Sequence, residues 1–454
     1  MASRRSHYEC QQCGCQSPRW LGRCPDCGSW NSLVEVGASP EGNAGGGRPA
    51  AGAPSSARPV LLAEVAGVDH PRIATGLPEL DRVLGGGLVP GSVTLVGGEP
   101  GVGKSTLLLQ AAAGLAAQDL PVLYVTGEES PAQVGARGRR LRAGDGGLYL
   151  LAETSLDAIL AQIDLQRPAV VILDSVQTTW SSALDSSAGS VSQVREVAGR
   201  LLEIAKARDL TVFLIGHVTK EGSLAGPKVL EHIVDTVISF EGDRHHAHRI
   251  LRASKNRFGA TDEIGLFEMR TDGLAAVENP SARFLEERPE GAPGSVVVAT
   301  VEGSRPILLE LQALVARTGA AMPRRVVNGL DASRAAMLLA VVEQRLAVRL
   351  GAADVFLNIV GGLQVREPAA DLGVVAAVLS SARGVPLQAD LAVFGEVGLG
   401  GEIRAVPQAE RRLAELFRLG FRKVLAPPRG PAGPAGMQVV PLAHVGEISA
   451  LVGG

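Results

Sequence analysis

The chain has 454 residues, a length that predicts roughly three domains of about 150 residues each. Hydrophobic residues make up 46% of the chain and aromatic residues only 3%, so its cores must be built mainly from Ala, Val and Leu. The formal net charge of -3 excludes a general attraction to nucleic acid, which would have to come from local Lys and Arg clusters. No charge-free apolar stretch reaches the ~18 residues that a membrane helix needs, and no apolar leader follows the first residues. These features predict a soluble, cytoplasmic protein without a membrane partner.

Two cysteine pairs lie near the start of the chain, with ten residues between them. Each Cys-x-x-Cys turn offers two thiolates at the separation that a tetrahedral zinc site requires, whereas a redox motif needs only one pair beside a βαβ unit. We therefore predict a ribbon over residues 1–36 that holds structural Zn²⁺ through Cys10, Cys13, Cys24 and Cys27, with Cys15 left out. The ribbon would present aromatic and basic side chains to a partner, namely Arg19, Trp20, Arg23 and Trp30.

A stretch rich in Gly, Ala, Pro and Ser covers residues 37–59, and its composition predicts a flexible linker. A second composition break lies at residues 287–294, so we place the next domain at residues 60–288. Strand and helix signals alternate again in residues 289–454, which predicts a separate α/β or α+β domain with helical spacing from Asp331 to Val348. In the middle domain, short apolar runs alternate with helical patterns, which predicts a mostly parallel α/β sheet. The runs cover residues 92–98, 121–126, 169–174 and 211–216.

A glycine-rich loop follows the first of these runs and has the spacing of a phosphate-binding loop. Its glycines let successive backbone N–H groups converge on the phosphates of ATP. Lys104 would reach the β and γ phosphates, and the Ser105 hydroxyl would hold Mg²⁺. An apolar strand ends at Gly97 and an apolar helix begins at Thr106, which is the context that such a loop requires. The predicted nucleotide-binding residues are Gly98, Glu99, Pro100, Gly101, Val102, Gly103, Lys104, Ser105 and Thr106.

Acidic residues at the ends of two other apolar runs complete the predicted ATPase site. Asp174 stands where a carboxylate would bind Mg²⁺ through water, with Ser175 as its hydrogen-bonding neighbour. Glu128 and Glu129 follow another run, at the carboxyl edge of the sheet where the phosphates must lie. We favour Glu128 as the residue that activates the attacking water, with Glu129 as the alternative.

The last run of the predicted sheet ends in His217, which would sense the γ-phosphate or else be plain structure. After it comes a glycine-punctuated basic loop from Lys220 to Lys228. Such a loop can order on a phosphate backbone, so both lysines are candidate DNA contacts. A simple surface loop is the alternative.

A second basic motif, Lys255-Asn-Arg257-Phe-Gly259, follows a β-hairpin pattern. A cationic group here would reach the γ-phosphate of a neighbouring subunit as an arginine finger does, with a charged hairpin end as the alternative. Lys255 is also a candidate DNA contact. The histidines of the hairpin lack metal-ligand spacing, and we expect all of them to be exposed: His245, His246 and His248.

Taken together, these motifs resemble those of the bacterial RadA (Sms) DNA recombination and repair proteins over nearly the whole chain. The resemblance is carried by the cysteine pairs with Trp20 to Asn31, by Gly98 to Thr106, and above all by Lys255 to Gly259. It implies a RecA-like P-loop ATPase in a hexameric ring, with ATP at the subunit boundaries. It also implies movement along single-stranded DNA and branch migration of branched intermediates, together with a RecA-type recombinase. In this family the motif of Lys255 and Arg257 couples the nucleotide state to DNA binding.

The last domain resembles the C-terminal peptidase domain of Lon. The Gly-Gly pair and the Pro-Ser-Ala-Gly nucleophile turn of that family correspond here to Gly361-Gly and Pro368-Ala-Ala-Asp, so no serine stands at the nucleophile position. The catalytic Lys of the family aligns with Glu410. With nucleophile and base both absent, we expect an inactive, ring-forming scaffold and no protease. Arg366 and Arg404 are candidates to face DNA.

The leading interpretation is therefore an ATP-driven, helicase-type DNA motor of recombinational repair. An ATP-regulated peptidase is one alternative, supported by the last domain alone. A nucleotide-switched DNA-binding scaffold with negligible turnover is the other. The scaffold differs from the motor in its response to DNA, because it would hydrolyse ATP at a rate that DNA does not change, whereas digestion of casein would distinguish the peptidase.

Overall fold

The computed structural model describes residues 7–10, 15–25, 28, 30, 32–36, 61, 71–144, 146–218, 224–225, 228–242, 248–289, 291–319 and 322–450. The predicted linker lies outside these residues. The chain divides into two compact units, the first made of residues 1–241, 251–261 and 270–274 and the second of residues 242–250, 262–269 and 275–454. The domain boundaries placed at 60–288 and 289–454 stay predictions.

A small antiparallel sheet forms the described part of the cysteine ribbon. Strand β1 (His7–Cys10) lies between β2 (Gln16–Ser17) and β3 (Leu33–Val36). The buried hydrophobic cluster of its described residues consists of Cys10, Cys24 and Leu33. Such a small cluster supplies little apolar stabilisation, so a module of this size needs another stabilising element, such as a bound metal.

A parallel sheet forms the core of the rest of the first unit, as the apolar runs predicted. The parallel strands of this sheet follow the order β10-β4-β8-β7-β5-β6, and a short strand, β9, pairs with β8 in the antiparallel sense. Because β4, β5 and β7 are buried along their whole length, they read as unbroken apolar runs. The strands are β4 (Val93–Gly98), β5 (Val122–Thr126), β6 (Leu148–Ala152), β7 (Val170–Asp174), β8 (Thr211–Val218), β9 (Leu224–Ala225) and β10 (Thr236–Glu241).

Helices connect these strands, and each begins or ends for a local reason. The helix after the glycine-rich loop begins at Lys104 with Gly103 as its N-cap, earlier than the predicted start at Thr106. In α3, Ser130 and Gln133 form a capping box at the N-terminus. The helices of the unit are α1 (Pro78–Leu84), α2 (Lys104–Ala116), α3 (Pro131–Arg140), α4 (Leu156–Gln166), α5 (Val191–Arg208) and α6 (Lys228–Ile233).

Three strands lie where the chain alternates between the units: β11 (His248–Asn256), β12 (Ile264–Arg270) and β13 (Gly273–Ala276). The short helix α7 (Pro280–Leu285) follows them in the second unit. The expectation that His248 is exposed is wrong, because its half-buried ring lies 5.2 Å from the ring of Phe284, centroid to centroid. His245 and His246 lie outside the described residues.

The second unit is an α/β domain built on a seven-stranded sheet of order β16-β17-β15-β14-β18-β21-β22, with a separate hairpin of β19 and β20. Its longest helix begins directly after Asp331, whose side chain caps the Arg334 N–H at 2.7 Å, and this confirms the helical spacing that starts there. The strands are β14 (Ser295–Glu302), β15 (Arg305–Arg317), β16 (Arg325–Asn328), β17 (Ala353–Ile359), β18 (Leu391–Val393), β19 (Glu396–Val397), β20 (Ile403–Arg404), β21 (Lys423–Ala426) and β22 (Gln438–Pro441). The helices are α8 (Ala332–Arg345), α9 (Asp371–Arg383) and α10 (Ala409–Arg418).

An arginine lies fully buried in the core of this unit. The Arg412 guanidinium pairs with both carboxylate oxygens of Glu367 and donates to the carbonyl oxygens of Ala299 at 2.7 Å and Pro407 at 3.1 Å. A buried cation is tolerated only when its hydrogen bonds and charge are satisfied in this way.

Among the described residues, no helix combines the length and the apolar character that crossing a membrane requires.

Glu367→Ala should destabilise the second unit by about 3 kcal/mol, because removal of one partner leaves a buried charge unpaired. Urea unfolding would measure the loss, and Glu367→Ala combined with Arg412→Met should recover part of it. Glu402→Ala, which removes the exposed partner of Arg404, is the matched control and should change stability little. Equal stability of the Glu367 and Glu402 variants would contradict the role of the buried pair.

Candidate functional site

The glycine-rich loop joins the carboxyl end of β4 to the start of α2. A Cβ at Gly98 would collide with the carbonyl oxygen of Phe240 in β10, so only glycine fits there. Gly101 and Gly103 adopt φ values of +81° and +116°, in the region that side chains disfavour. The loop therefore wraps around the N-terminus of α2, where unpaired backbone N–H groups and the helix dipole favour an anion such as phosphate.

The Lys104 side chain is buried inside this loop. Its ammonium donates to the carbonyl oxygens of Gly98 at 2.7 Å and Glu99 at 3.0 Å. Burial lowers the pKa of Lys104, and the negative charges of Asp174 and Glu128 act in the opposite direction. The structure therefore brings together the lysine and the two carboxylates that the sequence analysis assigned to one site.

Asp174 ends β7 beside the loop and is 6% exposed. Burial raises the pKa of its carboxyl group, while hydrogen bonds from Ser105 and from the Tyr124 hydroxyl, at 2.7 Å, partly offset that effect. The pKa of Tyr124 itself lies well above its usual value, so the phenol stays protonated and donates. Tyr124 was not among the predicted site residues. Its signal was a phenol in the middle of a short, fully buried strand.

The two glutamates after β5 have different partners. Glu128 accepts a hydrogen bond from the Ser175 hydroxyl at 2.6 Å, whereas Glu129 forms an ion pair with Arg137 of α3. The expectation that Ser175 is the hydrogen-bonding neighbour of Asp174 is not what the structure shows, because its hydroxyl is directed to Glu128. Of the two glutamates, Glu128 is the one whose charge acts on Lys104.

The predicted phosphate sensor His217 lies near the end of β8, and the predicted DNA contacts Lys220 and Lys228 follow that strand. His217 is paired in register with Gly98, so its backbone lies beside the glycine-rich loop, but its side chain is outside the described residues. Lys220 is also outside them, and for Lys228 only the backbone is described, as the first residue of α6. The DNA contacts of Lys220 and Lys228 therefore stay predictions.

The basic motif at the end of β11 docks on its own subunit. Lys255 donates to the carbonyl oxygens of Glu231, His232 and Val234 at 2.7, 3.3 and 2.8 Å, so it caps the C-terminal end of α6. Arg257 contacts the carboxylate of Asp235, which is 2% exposed, at 3.4 Å. The cations of the motif thus join α6 to the start of β10.

The uncharged residues of the motif explain its fixed shape. The Asn256 amide donates to the carbonyl oxygen of Val83 at 3.3 Å and accepts from the Phe258 N–H at 2.9 Å. A Cβ at Gly259 would lie 3.2 Å from the Cα of Gly85, so the two backbones approach as closely as glycine allows. Asn256, Phe258 and Gly259 therefore hold the motif against the end of α1.

The motif and the glycine-rich loop lie at opposite edges of the sheet. The backbone N–H of Arg257 donates to the carbonyl oxygen of Asp235, which lies just before β10. The backbone N–H of Asp235 in turn donates to the carbonyl oxygen of Val93, the first residue of β4. The glycine-rich loop follows the other end of β4, a strand of six residues that spans roughly 20 Å. No arginine or lysine side chain covers that distance, so Lys255 and Arg257 cannot touch a phosphate bound to their own loop.

In the ribbon, the described cysteines fit a metal site. Cys10 and Cys24 are both buried, and two turns are closed by hydrogen bonds from Cys10 N–H to Cys15 O at 2.9 Å and from Gly28 N–H to Cys24 O at 3.0 Å. Two soft donors inside a nearly coreless module suit zinc. Cys13 and Cys27 lie outside the described residues. Trp20 and Trp30 are 53% and 73% exposed, and Arg19 and Arg23 are exposed too.

In the second unit, the positions that correspond to a peptidase site hold no nucleophile. Ala369 and Ala370 are buried, and Asp371 is ion-paired with Arg334. Glu410, at the position of the catalytic lysine, is exposed. The candidate DNA contacts Arg366 and Arg404 are exposed as well.

This fold and this loop define a P-loop ATPase of the RecA-like class with an N-terminal metal-binding ribbon. The family models agree, since an AAA domain matches residues 58–223 and a rubredoxin metal binding domain matches residues 8–35. The chain belongs to the RadA family of DNA repair proteins. DNA repair protein RadA of Pseudomonas aeruginosa is 52% identical over 445 residues, which cover 97% of each chain. The proteins of the same name from Listeria monocytogenes and Bacillus subtilis are 47% and 45% identical over 98% of each chain. Among solved structures, the ATPase domain of G40P matches with a TM-score of 0.41 and 14% identity, over 48% of this chain and 95% of that chain.

Lys104→Ala should lower steady-state phosphate release from ATP at least about a hundredfold, because it removes the buried cation that we expect to face the phosphates. A coupled phosphate assay on the purified full chain would measure it. Lys423→Ala removes a lysine of the second unit that contacts Gln388 and should leave the rate unchanged. Wild-type turnover in the Lys104 variant would show that the site lies elsewhere.

Proposed function

We propose that this protein is a DNA-dependent ATPase of recombinational repair that moves along single-stranded DNA and promotes branch migration with a RecA-type recombinase. We further propose that it works as a homo-oligomeric ring, hexameric as in the family it resembles, with ATP at the subunit boundaries. The observation that carries this proposal is the placement of Lys255 and Arg257 at the sheet edge opposite the glycine-rich loop. A site that needs these cations is complete only between two subunits.

The residues at the carboxyl edge of the sheet suit phosphoryl transfer from ATP to water. The loop from Gly98 to Thr106 would hold the phosphates, with Lys104 against the β and γ phosphates. Ser105 and Asp174 would hold Mg²⁺, which neutralises phosphate charge when bound. Glu128 would accept the proton of the attacking water, since Glu129 is already paired with Arg137.

Between the two cations of the basic motif, Arg257 is the better candidate for a finger in trans. Its side chain is 55% exposed and meets Asp235 at 3.4 Å, near the limit of a salt bridge. Lys255 is bound to three carbonyl oxygens, and it would have to leave them to reach another subunit. We therefore assign the finger to Arg257, and we assign to Lys255 the coupling of the motif to α6.

The same arrangement suggests a route from nucleotide to DNA. Near its end, strand β8 lies beside the glycine-rich loop, where His217 is paired with Gly98. The chain that follows β8 is the basic segment between Lys220 and Lys228. Helix α6 follows that segment and ends on Lys255. A DNA backbone bound by Lys220 and Lys228 would thus be linked through β8 to the ATP site of its own subunit. It would also be linked through α6 to the basic motif, which contributes to the ATP site of the next subunit.

Zn²⁺ held by Cys10, Cys13, Cys24 and Cys27 would stabilise the ribbon that meets a protein or DNA partner.

Single-stranded DNA should raise the rate of phosphate release by the wild-type protein, and the stimulation should weaken as salt rises, because phosphate contacts release counterions. An ATPase titration with an oligonucleotide at two salt concentrations would measure both effects. Turnover that ignores DNA would favour the nucleotide-switched scaffold. Digestion of casein would favour the peptidase, for which the buried Ala369 and Ala370 leave no nucleophile.

Mixing two inactive variants tests the site between subunits. Arg257→Ala should lower the DNA-stimulated rate by about 10³-fold or more, the usual worth of an arginine finger, and Lys104→Ala should be inactive for a different reason. In mixed rings, the intact loop of one variant meets the intact Arg257 of the other, so roughly a quarter of the wild-type rate should return if subunits assort at random.

Arg200→Ala, which changes another half-exposed arginine paired with a carboxylate, is the matched control and should keep full activity. Failure of the mixture to regain activity, although both variants form particles of wild-type size, would contradict the shared site.

A further inference from the structure

We propose that Ser175 is a positioning residue for ATP hydrolysis, which fixes the carboxylate of Glu128 for the attacking water. The inference rests on the proposed function, because it takes Glu128 as the residue that activates water. The Ser175 hydroxyl donates to Glu128 Oε1 at 2.6 Å, a distance typical of a strong hydrogen bond to a charged acceptor.

Ser175 is itself held rigidly. Its side chain is fully buried, and its carbonyl oxygen accepts from the hydroxyls of Thr178 at 2.9 Å and Thr179 at 3.1 Å. The next residue, Val176, donates its N–H to the carbonyl oxygen of Ile215 in β8 at 3.1 Å. The turn after β7 is therefore anchored on both sides, and the hydroxyl that it carries has a fixed position.

Glu128 needs such a partner because of where it stands in the chain. It lies in the turn between β5 and α3, where a glutamate side chain has several rotatable bonds and no strand or helix to limit them. Glu129, the adjacent residue, is restrained by Arg137 instead. A cation at Glu128 would neutralise the base that the reaction needs, whereas a neutral hydroxyl orients the carboxylate and leaves its negative charge in place.

The hydroxyl could not be assigned from the sequence, where Ser175 stands beside Asp174 and 47 residues from Glu128. Its proximity arises because β5 and β7 are adjacent parallel strands, with Thr126 paired to Asp174. The residues that follow the two strands therefore meet at one edge of the sheet. Ser175 acts on the reaction through Glu128, the residue to which its hydroxyl donates.

The test is a double-mutant cycle on the full-length protein with single-stranded DNA present. Ser175→Ala should lower kcat about tenfold to a hundredfold, the worth of one hydrogen bond to a charged group, while the affinity for a slowly hydrolysed ATP analogue with Mg²⁺ stays within about twofold. Glu128→Gln alone should lower kcat further, by about 10² to 10⁴. In the Glu128→Gln background, Ser175→Ala should have no additional effect on single-turnover hydrolysis.

Ser182→Ala removes an exposed hydroxyl from the same segment, where it contacts Asp157 at 2.5 Å, and should leave kcat unchanged. The proposal is overturned if Ser175→Ala keeps wild-type kcat, or if it lowers kcat equally with and without Glu128. A rise in the DNA-independent rate would also overturn it, since the bond would then restrain Glu128 from acting. Wild-type kcat in Glu128→Gln alone would instead refute the proposed water activator, so the two failures are separate observations.

Discussion

The parallel direction of the strands in the first unit is the constraint on which the rest of this structure depends. Because β4, β5, β7 and β8 run the same way, everything that follows them collects at one edge of the sheet. That edge receives the loop of Lys104, the carboxylates of Glu128 and Asp174, and the backbone of His217. The opposite edge receives Arg257, which enters on β11 from the other direction. One subunit therefore carries the two parts of the proposed hydrolytic site roughly 20 Å apart.

Burial at the carboxyl edge imposes a second condition. It lowers the pKa of Lys104 and raises that of Asp174, so both groups lose part of their preference for the charged form. Their mutual attraction and the hydrogen bonds from Tyr124 and Ser105 oppose that loss. Charges that are only partly compensated by protein groups are suited to a ligand that is itself highly charged, because the ligand supplies the missing partners.

The architecture and the phosphate loop could be predicted from the sequence because both leave local signals. Unbroken apolar runs predicted buried parallel strands, and the spacing from Gly98 to Ser105 matched a loop in which Gly98 has no room for a Cβ and Gly101 and Gly103 adopt positive φ values that favour glycine. The partners of single side chains could not be predicted in this way. Tyr124 and Asp174, Ser175 and Glu128, and Glu367 and Arg412 are all distant in sequence. The first two pairs meet because β5 and β7 are adjacent strands, and the third because α10 packs over the residues before α9. The spacing of charged residues likewise gave no sign that Lys255 caps α6.

That cap bears on how a site shared between subunits can be regulated. Lys255 binds three carbonyl oxygens at the end of α6, and it lies two residues before Arg257, the residue proposed to reach the next subunit. If a movement of Arg257 pulls Lys255 away from these oxygens, they must be satisfied by water or by a shift of α6, so the position of this helix is tied to the state of the motif. Helix α6 directly follows the basic segment proposed to bind DNA. If a nucleotide on the next subunit changes the affinity of this segment for DNA, DNA must change the affinity for that nucleotide by the same factor.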